Sequence, residues 1–117
     1  MENGYFNKVT NLLRQVRPRL AATHRLEFKN CFGAVAGYVD GNIFISCGKF
    51  GVALRLPPQT LESLFKKKIV KRLKYFPNGH IKKEYAVFPK RIIKDKRQLR
   101  KFITKSVQYV LSLKVSK

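Results

Sequence analysis

Asp40-Gly41, set between two runs of β-branched and aromatic residues, is the feature that most narrows the folds open to this chain. Asp-Gly favours a two-residue type I′ turn, in which both central residues take positive φ, and such a turn folds its flanking runs into an antiparallel hairpin. Gly48-Lys49 reads as a second two-residue loop, and Asn78-Gly79, between Lys71 to Phe76 and Ile81 to Phe88, as a third. Residues 26–56 are therefore expected to form a three-stranded meander, and residues 71–88 a separate hairpin.

The turn positions fix a register. Val39 is expected to face Asn42, Tyr38 to face Ile43, and Ala36 to face Ile45. Across the second loop Cys47 faces Phe50 and Ile45 faces Val52. Period-two alternation then puts Ala36, Tyr38, Ile43, Ile45, Cys47, Phe50, Val52 and Leu54 on one side, the better core face. Val35, Gly37, Val39, Phe44 and Ala53 fall on the other, too apolar for plain solvent and small enough for close approach. They are assigned as an interface, to a second copy or to a partner, the alternative being a helix of the same chain laid over them. Cys31 and Cys47 lie on opposite faces in this register, so no disulfide within the chain is expected.

Helical spacing brackets these strands. Phe6, Val9, Leu12, Leu13, Val16 and Leu20 recur on one face of a first helix, which Pro18 ends. Pro57-Pro58 starts a short helix carrying Leu61, Leu64 and Phe65 and closing on Lys66, Lys67 and Lys68. Asp95, with Gln98 three residues on, marks a capping box before a final helix whose apolar face is Leu99, Phe102, Ile103, Val107, Val110 and Leu111. The order helix, three strands, helix, two strands, helix is an α+β two-layer fold with an antiparallel sheet, as one domain over residues 1–117.

Charge narrows the function. The chain has 26 Lys and Arg against 6 Asp and Glu, a formal +20. Residues 1–60 hold 8 basic and 3 acidic residues, and residues 61–117 hold 18 and 3, so a polyanion-binding surface is expected in the second half. Its candidate nucleic-acid-binding residues are Lys66, Lys67, Lys68, Lys71, Arg72, Lys74, Lys82, Lys83, Lys90, Arg91, Lys94, Lys96, Arg97, Arg100 and Lys101, with Tyr75, Phe76 and Tyr85 interleaved for stacking. Lysine outnumbers arginine, which suits phosphates rather than base edges and implies little sequence specificity. In the Asn78-Gly79 hairpin Lys74 is expected to face Lys83, a like-charge pair that a phosphate would relieve. The competing reading is a protein-interaction or dimerisation module with no direct nucleic-acid contact.

Other classes find little support. The six acids are scattered, with Asp40 in a turn and Asp95 in a cap, and nothing orients Cys31 with His24 or His80 as a dyad, so the chain is not expected to be an enzyme. The two cysteines and two histidines fit no zinc spacing, and neither a metal nor a cofactor is expected. There is no apolar run long enough to span a membrane and no signal-peptide pattern at Met1-Glu2-Asn3-Gly4, so a cytoplasmic location is expected.

Several short motifs, taken in order, carry a resemblance. The stretch from Lys29 to Phe44 contains Phe32-Gly33, Gly37-Tyr38 and Asp40-Gly41 followed by Phe44; Leu54-Arg55-Leu56-Pro57, Tyr75-Phe76-Pro77-Asn78-Gly79 and Tyr85-Ala86-Val87-Phe88-Pro89 follow. This pattern, over roughly Phe6 to Leu113, resembles the TfoX N-terminal domain family. Cys31 stands where that family usually has methionine, and Ala34 where a second glycine is common. The resemblance implies the TfoX-N/YgaC-like fold in a stand-alone domain, without the C-terminal helical domain of full-length members. It also implies kinship with bacterial regulators of natural competence, which act at promoters with a transcription-factor partner, the cyclic-AMP receptor protein. It implies no catalytic residues.

Overall fold

The computed structural model describes residues 4–31, 33–74 and 82–113. Six strands form one antiparallel sheet: β1 (Leu26–Cys31), β2 (Ala34–Val39), β3 (Asn42–Gly48), β4 (Gly51–Arg55), β5 (Lys71–Leu73) and β6 (Lys82–Phe88), in the order β1-β2-β3-β4-β6-β5. Two long helices, α1 (Gly4–Val16) and α5 (Lys96–Ser112), lie on one side of it. Three short ones, α2 (Leu20–Thr23), α3 (Pro58–Lys66) and α4 (Lys90–Ile93), join the strands. The fold is α+β, as expected. The meander, however, has four strands rather than three, because Gly33 takes φ +81° and lets Cys31 pair with Ala34 across a tight connection. The short helices α2 and α4 were not anticipated either; each is a single turn with too few residues to show a period.

Asp40 and Gly41 take φ +48° and +87°, as a type I′ turn requires, and Val39 faces Asn42 and Tyr38 faces Ile43. The Asp40 carboxylate accepts from the Arg25 N–H at 2.9 Å, and the Asp40 N–H donates to the Arg25 carbonyl, clipping the turn to the start of β1. Beyond Tyr38 the expected register fails. Gly37 faces Ile45, so Phe44 is an extra residue on β3 with no partner on β2, a β-bulge. The next loop is also displaced: Gly48 pairs with Gly51, and Lys49-Phe50 turn the chain.

These two shifts correct the face assignment. Val35, Gly37, Ile45, Cys47, Val52, Leu54, Ala86 and Phe88 are linked by pairing and point toward the helices. Val35, Val39 and Phe44 belong to the main core with Val9, Leu13 and Val16 of α1 and Leu99, Ile103, Val107 and Val110 of α5. They are covered by helices of their own chain and offer no surface to another. Ala36, Tyr38, Ile43 and Phe50 lie on the opposite face, and there Ala53 is buried in a smaller cluster with Leu73 and Val87, against which Phe50 and Tyr85 pack. Gly37 must stay bare: a Cβ would come within 2.6 Å of Ile45 Cγ2 and 3.1 Å of Phe28 Cε1.

The bulge leaves a main-chain carbonyl to satisfy. Ser106, fully buried on α5, donates its hydroxyl to the Phe44 carbonyl at 2.9 Å. Asn42 makes a second tie, from its side-chain amide to the Val110 carbonyl at 3.0 Å. Cys47 is a free thiol on the core face, and burial raises its pKa, with Lys8 opposing. Asp95 caps α5 as its sequence implies, accepting from the Arg97 and Gln98 N–H groups while the Gln98 side chain donates to its second oxygen at 2.9 Å.

Two outcomes follow from these contacts. Ser106→Ala should cost about 1–2 kcal/mol in chemical denaturation without changing the denaturant slope, because it strands a buried acceptor rather than altering how much surface unfolds. Asp95 is held below the usual carboxylate range, chiefly by the Gln98 side chain and then by the Gln98 N–H. A group with a depressed folded pKa stabilises above its unfolded value and ceases to as pH falls through the folded one. Asp95→Ala should therefore melt lower than the parent at neutral pH, with the gap closing in strong acid.

Candidate nucleic-acid interface

The basic candidates follow one edge of the sheet. Helix α3 buries Leu61 and Leu64 and ends in a Schellman motif: the Lys68 N–H bonds the Phe65 carbonyl, and the Ile69 N–H bonds that of Leu64. Lys68 occupies the left-handed position of that motif, φ +58°, where glycine is the usual residue. Lys66, Lys67 and Lys68 are all exposed around this end. Cations there complement the helix macrodipole, so helix stability alone accounts for their sign.

The chain then enters β5, the edge strand opposite β1. Lys71 and Arg72 are exposed while Leu73 is buried beneath them. The Arg72 guanidinium lies 4.5 Å from the centre of the Phe65 ring, which ties β5 back to α3. Lys71 faces Val87, two residues before Pro89, so the start of β5 and the start of α4 share one end of the sheet. Lys90, Arg91, Lys94, Lys96 and Arg97 follow, all exposed, with Ile92, Ile93 and the acid Asp95 between them. On α5, Lys96 with Arg100 and Arg97 with Lys101 are spaced four apart and so share a face.

Lys96 and Arg97 occupy the first turn of α5, directly after the Asp95 cap, whose carboxylate Arg97 attracts; no other acid lies in that turn. Cations at a helix N-terminus oppose the macrodipole, so helix stability does not explain them. Among the described residues the ion pairs are Arg25 with Glu27, at 3.3 Å, and Arg55 with Glu84, at 3.1 Å. Neither involves a residue of the candidate set. The Glu84 carboxylate also receives the Tyr109 hydroxyl at 3.4 Å, and burial first, then Glu84, raises the pKa of that phenol.

Not every candidate is brought together. Lys74 and Lys83 are exposed at the other end of the β5–β6 ladder. They are not paired: Leu73 faces Lys82 after a shift beyond Arg72, which offsets the two lysines and removes the expected like-charge contact. Tyr85 is half-buried beside Ala53, Leu73 and Val87 rather than free to stack. Tyr75, Phe76, the Asn78-Gly79 turn, His80 and the side chain of Lys82 lie outside the described residues.

Sequence reasoning also missed a contribution from the first half of the chain. Arg100 Nε donates to the Val16 carbonyl at 3.0 Å, capping the C-terminal end of α1 from another helix, and Arg17 Nη1 donates to Thr104 Oγ1 at 3.0 Å. This double brace sets the C-terminal end of α1 against the basic face of α5, with Arg14 one turn before Arg17 and Arg19 just after it, both exposed. The alternation of arginines from 14 to 19 was the available signal, but the lower charge of the first half hid it.

A family model of the TfoX N-terminal domain matches residues 19–110, most of the chain. The chain belongs to the TfoX N-terminal domain family. No curated protein and no solved structure matches it. In family terms the matched span begins just before α2 and ends within α5, so it contains the whole described sheet and the basic edge, while α1 precedes it. Among the described residues no helix is long and apolar enough to cross a membrane, and no three His, Cys, Asp or Glu side chains gather at a metal-binding distance.

The left-handed lysine yields a test. Lys68→Gly relieves a conformation that costs an L-residue about 1 kcal/mol, less what glycine loses in chain entropy. Its melting temperature should rise by a few degrees. A fall would mean that the Lys68 side chain holds the helix end together.

Proposed function

We propose that this member of the TfoX N-terminal domain family is a non-enzymatic binding domain that holds nucleic acid by its phosphates, along the edge formed by α3, β5, α4 and the first half of α5. One observation carries the reading. The candidate cations whose side chains the structure describes are all exposed, none forms an ion pair there, and Lys96 and Arg97 stand against the dipole of their own helix with only the capping Asp95 beside them. Clustered positive charge of this kind is costly until a polyanion neutralises it. Lysine predominance supports backbone contact over base readout. Family membership supports promoter DNA beside a transcription-factor partner as the setting, and the resemblance to competence regulators points the same way.

Fluorescence anisotropy with duplex and single-stranded oligonucleotides across a salt series tests this. The logarithm of the affinity should fall linearly with log salt, by about 0.9 per phosphate contact on duplex and about 0.7 on single strands. The double variants Lys66→Gln/Lys67→Gln and Lys96→Gln/Arg97→Gln should each flatten that slope by one to two contacts and weaken all sequences about equally. Absence of binding at low salt, slopes unchanged in both variants, or equal affinity for polyglutamate would each reject the proposal, the last in favour of an acidic protein partner.

A further inference from the structure

The far edge of the sheet carries a different surface. β1 is the last strand on its side, and its outer edge meets no other strand among the described residues. Its sequence, Leu26-Glu27-Phe28-Lys29-Asn30-Cys31, is complementary to itself when reversed about Phe28. We propose that β1 pairs antiparallel with β1 of a second copy about a two-fold axis through Phe28. In that register Glu27 faces Lys29 of the other copy, Lys29 faces its Glu27, and Leu26 faces its Asn30. Directly opposed side chains have Cβ atoms about 4.5–5.5 Å apart, within reach of a charge pair. The registers two residues to either side lose this match, setting Glu27 against Glu27 or Lys29 against Lys29.

The two faces of the strand agree with the pairing. Glu27 and Lys29 pair with Tyr38 and Ala36, on the side of the sheet away from the long helices, and both are exposed. Their present partners are weak. Glu27 meets Arg25 at 3.3 Å with side chains 48% and 69% exposed, and the Lys29 ammonium lies 5.0 Å from the Tyr38 ring centre. Phe28 points to the helix side, beside Gly37. Against it, edge-to-face at 5.7 Å between ring centres, stands Phe6 of α1, which is 46% exposed. The two-fold axis brings Phe6 and Phe28 of both copies into one apolar cluster and buries them.

Charge does not forbid this contact. The β5 part of the basic surface lies five strand spacings from β1, roughly 24 Å, and Arg14, on α1, follows Phe6 by eight residues, about 12 Å along the helix; charges are screened beyond about 8 Å at physiological ionic strength. In the dimer the two β5 edges lie at opposite ends of a twelve-stranded sheet.

Sedimentation over a concentration series, without nucleic acid and at near-physiological salt, tests the pairing independently of phosphate binding. The parent should rise from 13.6 kDa to twice that mass. Glu27→Lys and Lys29→Glu, each confirmed folded by circular dichroism, should stay monomeric alone, since each sets like charges across the axis. Mixed in equal amounts they should form a heterodimer, because one copy then carries only lysine and the other only glutamate at these two positions. A parent that remains monomeric, single variants that dimerise as the parent does, or a mixture that stays monomeric while the parent dimerises would each overturn the proposal.

Discussion

The β-bulge at Phe44 is the constraint on which the rest of the structure depends. By adding one residue to β3 it puts Val35, Val39 and Phe44 on the same side as Ile45, Cys47, Val52 and Leu54. That side becomes apolar enough to hold two long helices. An unbroken register would split the large residues between two faces and leave neither with a full core. The bulge also strands a carbonyl, and Ser106 is the polar residue that α5 carries into the core to meet it. A serine on the apolar face of a helix thus records an irregularity in the strand beneath.

The same helix divides its surface by task. Leu99, Ile103, Val107 and Val110 face the sheet, while Lys96, Arg97, Arg100 and Lys101 face outward near its start. Arg100 serves both, since its guanidinium caps α1 and its charge adds to the edge. Position in the sheet separates the two surfaces of the molecule further. Lysines gather around β5, and the alternating Glu27 and Lys29 mark β1, with the full width of the sheet between them.

How much of this could be read from the residues depended on whether the signal was local. Asp40-Gly41 and the Asp95–Gln98 box each specify their geometry within four residues, and both are found as expected. The spacing of α1 and α5 was equally plain. The bulge was not: Gly37, a residue strands disfavour, marks an irregularity or a close approach without saying which, and only the packing of α1 and α5 decides which way Phe44 and its neighbours point. Phe32-Gly33 is no familiar turn dipeptide, so nothing local separates β1 from β2. For the candidate interface, composition identified the cations of the second half but could not show that Arg14, Arg17 and Arg19 return to them through contacts 84 and 87 residues apart in sequence.

Those long-range contacts bear on how the chain is made. The helix that opens the fold finds its cap and much of its apolar partner on the helix that closes it. At a synthesis rate of about 5–20 residues per second, roughly 4–17 s separate the emergence of Val16 from that of Arg100. During that interval Val9, Leu13 and Val16 have no α5 to cover them, so the core cannot close domain-fashion as the chain appears. Folding waits for the last helix, and a nascent chain stalled before it would expose its amphipathic first helix to whatever chaperone stands at the exit.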